Sequence, residues 1–205
     1  MKQIQALLAL FAFAFLPLHA ASKADLTWTT SGEEVTITDC ETAATGELVI
    51  PATIGGKPVT SIGISAFYNC TSLTSITIGD SVTSIGVEAF GRCTSLTGIT
   101  IPDGVTSIGN YTFANCYSLT SITIPDSVTS IGQSAFGKCT SLTMIEVSAG
   151  NLNYTGIDGV LFNKEKTVLH NYPANKTGDN YTIPDSVTSI GDQAFLHQPD
   201  EHHDS

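Results

Sequence analysis

The sequence predicts an α/β solenoid: stacked coils whose short strands form a parallel β-sheet on the concave face, with short helical or 3-10 turns on the other side. Two observations carry this. Segments beginning at Leu73, Leu96 and Leu119 read LTSITIGDSVTSIGVEAFGRCTS, LTGITIPDGVTSIGNYTFANCYS and LTSITIPDSVTSIGQSAFGKCTS, a constant period of 23 residues. Within each copy the apolar residues hold fixed places, which in the third are Leu119, Ile122, Ile124, Val128, Ile131, Ala135, Phe136 and Cys139. One such coil cannot bury its own inner row, so the coils must stack, with neighbouring strands parallel at about 4.8 Å.

The elements follow in chain order. The chain has 205 residues, 41% hydrophobic and 13% charged, enough for one domain with a real core. Residues 1–24 read as a signal peptide: Lys2 precedes the apolar IQALLALFAFAFLPLH, Pro17 breaks it, and the small residues of AASKA place cleavage after about Ala20 to Ala24. A retained anchor is the competing reading, and the stretch is short for a membrane span. No later apolar run could cross a bilayer.

Residues 59–147 hold the regular repeats, entered through the half-coil VTSIGISAFYNCTS from Val59. In the strand LTSITI, Ile122 and Ile124 point inward and Thr123 outward. Pro125 ends the strand because it has no amide to donate, and Asp126 and Ser127 suit the turn that follows. Gly132 is expected to relax the backbone before a helical turn bearing Ala135 and Phe136. Stacking predicts an aromatic file of Phe67, Phe90, Phe113 and Phe136 and an aliphatic file of Ile85, Ile108 and Ile131.

The period then breaks. Phe136 and Phe195 are 59 residues apart, one period plus 36, so residues 148–180 form a variant repeat that adds a hairpin around NKEK. Residues 181–196 are a final partial repeat. There LHQPDEHHDS follows Ala194 and Phe195, with Gln198 in place of Cys and Glu201 in place of Leu, and residues 197–205 read as a disordered acidic tail. An unclosed last coil exposes Ile190 and Phe195, which points to a truncated frame, a partner covering the end, self-association or fraying.

The pattern I-P-x-x-V-x-x-I-G-x-x-A-F-x-x-C-x-x-L resembles the BspA-like class of bacterial leucine-rich repeats over Val59 to Phe195. The stretch NLNYTGIDGVLFNKEKTVLHNYP from Asn151 is similar to a variant unit of that family, and residues 25–58 are similar to its N-terminal β-hairpin cap. The resemblance implies a right-handed leucine-rich-repeat solenoid on an exported surface or secreted protein, some members being associated with adhesion to host proteins or other cells.

Candidate sites are few. Cys70, Cys93, Cys116 and Cys139 recur every 23 residues, with Cys40 upstream. Stacking spreads them along a file, which excludes a converging zinc site and favours buried, unpaired thiols over disulfides, although export would ordinarily favour pairing. His197, His202 and His203 with Asp200, Glu201 and Asp204 could hold a metal loosely, but nothing orders that tail, and no metal or other cofactor is expected. His170 reads as a surface residue. Catalysis needs a nucleophile and a base, or paired carboxylates, in one pocket, and no such set converges; Asp103 and Asp126 are explained by turn capping.

The expected binding surface is the concave row Thr77, Thr100, Thr123 and Glu146, flanked by Ser75, Gly98, Ser121 and Met144. It lacks Trp, Tyr and Arg anchors, so weak multivalent contact with a host or cell-surface protein or glycan fits it best. The aromatics Tyr154, Phe162, Tyr172 and Tyr181 form a second candidate patch, against the simpler reading that they pack the variant unit. With a formal net charge of -11, the chain disfavours nucleic acid. An exported, non-catalytic binding or adhesion module is the leading function; a structural spacer or fragment of a longer array is the alternative.

Overall fold

The structure, a computed structural model, describes residues 19–178 and 180–195. Two parallel ladders run along the stack of coils. The front ladder joins His19–Ala20, Ala44–Ile50, Leu73–Ile78 and Gly98–Thr100, and Ser121–Ile124 with Met144–Val147 follow as a pair. The side ladder joins the two-residue strands Ser130–Ile131, Ser107–Ile108 and Ser84–Ile85 to Lys57–Ile62. Lys57–Ile62 in turn pairs with an antiparallel hairpin of Leu26–Ser31 and Glu34–Cys40, which extends the side ladder at the N-terminal end.

The chain between the ladders is not helical as the sequence suggested. Among the described residues the one helical element is the 3-10 turn Lys23–Asp25; residues 64–69, 87–92, 110–115 and 133–138 are tight turns. The reason is a left-handed residue at two matched places in each coil: Ser65 and Asn69 (φ 54° and 64°), Glu88 and Arg92 (54° and 59°), Tyr111 and Asn115 (55° and 62°), Ser134 and Lys138 (51° and 61°). A left-handed L-residue costs roughly 1–2 kcal/mol and interrupts a right-handed helix. The cost is offset because successive amides then point in alternate directions. Phe67 donates across to Ala89 in the next coil at 2.7 Å, while Tyr68 donates within its own coil to Ser65 at 2.9 Å. Phe90 to Thr112 and Phe113 to Ala135 repeat the crossing. The fold is therefore a β-solenoid with almost no helix.

Gly132 also has a different role from the one expected. Its φ is not in the left-handed region; instead a Cβ there would lie 2.4 Å from the Asn110 amide nitrogen of the preceding coil. Gly109 and Gly86 face the same obstruction at 2.6 and 2.8 Å. The repeated Ile-Gly thus lets backbones meet.

Inside, Phe67, Phe90, Phe113 and Phe136 stack in sequence with centroids 5.1, 5.5 and 5.7 Å apart. The five thiols are free and buried. Cys93, Cys116 and Cys139 each donate to the carbonyl of the phenylalanine in the coil before, Phe67, Phe90 and Phe113, at 3.1–3.2 Å. The recurring hydroxyls are used the same way: Thr106 and Thr129 donate to Thr83 and Thr106 carbonyls, and Thr97 and Thr143 to those of Thr74 and Thr120. Serine and threonine are abundant because each coil is bonded to the last through them.

Candidate functional site

Register places the front residues. Val49, Thr77 and Thr100 are paired across three strands, and Thr123 with Glu146 across the next two, all with exposed side chains. The row predicted from sequence therefore faces outward in two registered groups, Thr77 with Thr100 and Thr123 with Glu146. Val49, 63% exposed, extends it by a strand that sequence reasoning left out. Its signal was the alternation in ELVI, where Leu48 and Ile50 are buried. The Thr123 hydroxyl donates to Glu146 at 3.3 Å. Beside them a shallow groove of about 490 Å³ is lined by Met144, Glu146, Ser148, Gly156 and Gly159.

The groove exists because the chain leaves the repeat there. Asn151, fully buried, donates to the carbonyls of Pro125 and Val128 at 2.6 and 3.0 Å and accepts from the amides of Asn153 and Tyr154 at 2.9 and 2.8 Å. All four bonding positions of its amide are filled. The chain then forms an antiparallel meander of Tyr154–Ile157, Val160–Asn163 and Val168–Asn171. Its second turn is the hairpin around NKEK, held by Asn163 Oδ1 accepting from Thr167 and Val168 at 2.8 Å. The first turn docks on the front ladder, where Ile145 donates to Gly159 at 2.8 Å.

This meander separates the four aromatics of the second candidate patch. Tyr154 is 7% exposed and Phe162 fully buried, so both pack the unit. Tyr172 and Tyr181 are half-buried, edge to face at 5.1 Å, with Phe195 stacked on Tyr172 at 5.2 Å and the Lys176 ammonium 5.9 Å from the Tyr181 ring. Burial raises the Tyr181 hydroxyl above its usual pKa, assisted by Asp158 and Tyr172, and among the described residues that hydroxyl has no hydrogen-bond partner.

The meander also breaks the side ladder. Ser189–Ile190 pairs not with Ser130–Ile131 but with Val168–Asn171, and the Ala194 carbonyl is taken by the Tyr172 amide. A cleft of about 260 Å³ remains between the coil of Ile131–Phe136 and that of Gly191–Asp192, floored by Leu161, His170 and Asn171. His170 is half-buried with the Tyr154 ring edge-on at 5.3 Å, not a plain surface residue. Burial lowers its pKa below the usual histidine value, because it disfavours the charged imidazolium.

Among the described residues no group of three or more His, Cys, Asp or Glu side chains could hold a metal, and no helix is long and apolar enough to cross a membrane. The histidine-rich tail from 197 and residues 1–18 of the signal segment lie outside the described residues.

The pattern of the BspA type leucine rich repeat region matches residues 60–198 in 6 copies. A leucine-rich repeat protein from Eubacterium ventriosum is 30% identical with a TM-score of 0.62, over 85% of this chain and 56% of its own. One from Bacteroides capillosus is also 30% identical, TM-score 0.55, over 61% and 95%. The pneumococcal vaccine antigen PcpA, 22% identical over 87% of this chain and 62% of its own with a TM-score of 0.53, shares the fold. The chain thus spans little more than half of the Eubacterium protein, at 56%. No curated protein matches the sequence.

Proposed function

Since the chain belongs to the BspA-type leucine-rich-repeat family, we propose that it is an exported, surface-located or secreted binding module without catalytic activity. The front ladder engages a host or cell-surface protein or glycan weakly and multivalently. The observation that carries this is the outward side chains of Thr77, Thr100 and Thr123, which present the same small hydroxyl strand after strand, between an exposed Val49 at one end and Glu146 at the other. Inward residues hold the coils; these hold nothing, apart from the one Thr123–Glu146 bond. A face without aromatic or arginine anchors binds through repetition rather than through one deep contact. The hydroxyls of Thr83, Thr97, Thr106, Thr120, Thr129 and Thr143 are engaged by carbonyls and the thiols are buried, which supports a role in contact rather than covalent chemistry.

The test is binding of the intact chain, as monomer and as a streptavidin-linked tetramer, to a glycan array and to immobilised matrix glycoproteins. The tetramer is expected to bind where the monomer scarcely does, and a Thr100→Lys/Thr123→Lys double variant to lose that binding. A tetramer that binds nothing favours a spacer role, and undiminished binding by the variant moves the site off this face.

A further inference from the structure

We propose that the cleft in the broken side ladder is a binding site for a neutral sugar of monosaccharide size, held by hydrogen bonds with Ser134, Gln133, His170 and Asn171 and by donation of a sugar hydroxyl to Asp192, beside the end of the phenylalanine file. This inference is independent of the front ladder.

The shape comes from the break itself. In the regular coils Phe113 donates across to Ala135, and each phenylalanine ring is covered by the next. Beyond Phe136 that succession stops, because Phe195 stacks on Tyr172 instead. Phe136 therefore ends the file as a wall of the cleft. The space of about 260 Å³ is too small for a drug-sized ligand and has room for one pyranose ring, whose faces carry C–H groups and whose rim carries hydroxyls.

The chemistry of the walls selects among small ligands. Ser134 is 8% exposed and its hydroxyl has no partner, an uncommon condition for a buried polar group. That hydroxyl has no accessible surface as placed, so it meets a ligand hydroxyl only by turning about the Cα–Cβ bond. Gln133 donates to Asp192 at 2.8 Å across the mouth, so a carboxylate and an amide are already held together, the planar pairing that accepts from and donates to vicinal hydroxyls. No Lys or Arg lines the cleft, which together with the net charge of -11 argues against phosphate or carboxylate ligands. A cation is poorly served, since among the described residues the cleft has one carboxylate, Asp192, and Gln133 engages it. A neutral polyol meets every wall.

Glucose, galactose, mannose and N-acetylglucosamine, each titrated into the intact isotope-labelled chain, provide the test. For at least one sugar the amide resonances of Ser134, Phe136, His170 and Asp192 are expected to shift saturably. Ser134→Ala should weaken that binding about tenfold, the effect of one lost hydrogen bond. Gln133→Ala, at an exposed position where folding is not at risk, should do the same. Absence of a saturable shift with all four sugars overturns the proposal and leaves a water-filled cleft. So do shifts confined to the front residues Thr100 and Thr123, or unchanged affinity in both variants.

Discussion

The Tyr154 hydroxyl accepts a 2.9 Å hydrogen bond from the Ile131 amide, standing where one more strand of the side ladder would present a carbonyl. A side chain from the variant unit thus terminates the regular ladder. Tyr154→Phe keeps the ring and orphans that amide, so stability should fall by about 1–2 kcal/mol. Urea unfolding followed by circular dichroism should show a lower midpoint at unchanged slope. An unchanged midpoint would mean that water replaces the hydroxyl at no cost.

Asn151 holds the exit from the repeat through its four bonds. Asn151→Asp is nearly isosteric but turns the group that faces the Pro125 and Val128 carbonyls from donor to acceptor. A loss of about 3 kcal/mol or more is expected near neutral pH, because a buried carboxylate is left against two carbonyl oxygens. Thermal melts of the two proteins decide it; equal midpoints would show that the exit is held by other contacts.

Gly109 and Gly98 form a matched pair for the close-approach argument. A Cβ at Gly109 would lie 2.6 Å from the Gly86 carbonyl carbon, whereas one at Gly98 meets nothing within 4 Å. Gly109→Ala should destabilise by about 2 kcal/mol or more through overpacking. Gly98→Ala should change stability by less than about 0.5 kcal/mol. Similar losses at both sites would refute the steric account.

The thiols should be silent in the native protein. Burial raises Cys93 and Cys139 well above the usual thiol value and Cys116 to about 12, and a hydrogen bond to Cys70 together with burial raises Cys40. The thiolate is the reacting species. Iodoacetamide at pH 8 should therefore modify none of Cys40, Cys93, Cys116 and Cys139 within the lifetime of the fold, and all of them in denaturant. Rapid native labelling, read by mass spectrometry, would show that the stack opens locally.

His170 gives stability a pH dependence of known sign. Its folded pKa is depressed by burial from the usual 6.5, so below that pH the unfolded chain binds a proton more readily than the folded one. The contribution is full above about pH 6.5 and is lost as pH falls through the depressed folded value. Carboxylates also titrate lower down, so the measurement is the difference between the intact protein and His170→Asn. The difference in urea midpoint between pH 8 and pH 5.5 should be smaller in the variant. Identical profiles would place the imidazole in a water-like environment.

The front row Thr77, Thr100, Thr123 and Glu146 could be read from period and alternation alone because stacking carries each residue onto its counterpart 23 positions later. The phenylalanine file was legible for the same reason. The turns were not: Ala135 and Phe136 have helix-compatible spacing, and only the neighbouring coil's carbonyls make a left-handed Ser134 or Tyr111 worth its cost. Gly132 was misread likewise, since the atom it avoids belongs to Asn110 of the coil before.

By itself, then, the sequence determined the repeat, its inward and outward sides and the place where its period breaks, because those depend on spacing along the chain. Only the tertiary structure decided that Tyr154 ends the side ladder, that Tyr154 and Phe162 turn inward while Tyr172 and Tyr181 stay half-exposed, and that a cleft opens beside Ser134. Those outcomes occur where one coil does not match the next. A periodic pattern encodes fit between equals, and the accommodation of a misfit is set by whichever donors, rings and carbonyls the packing brings together.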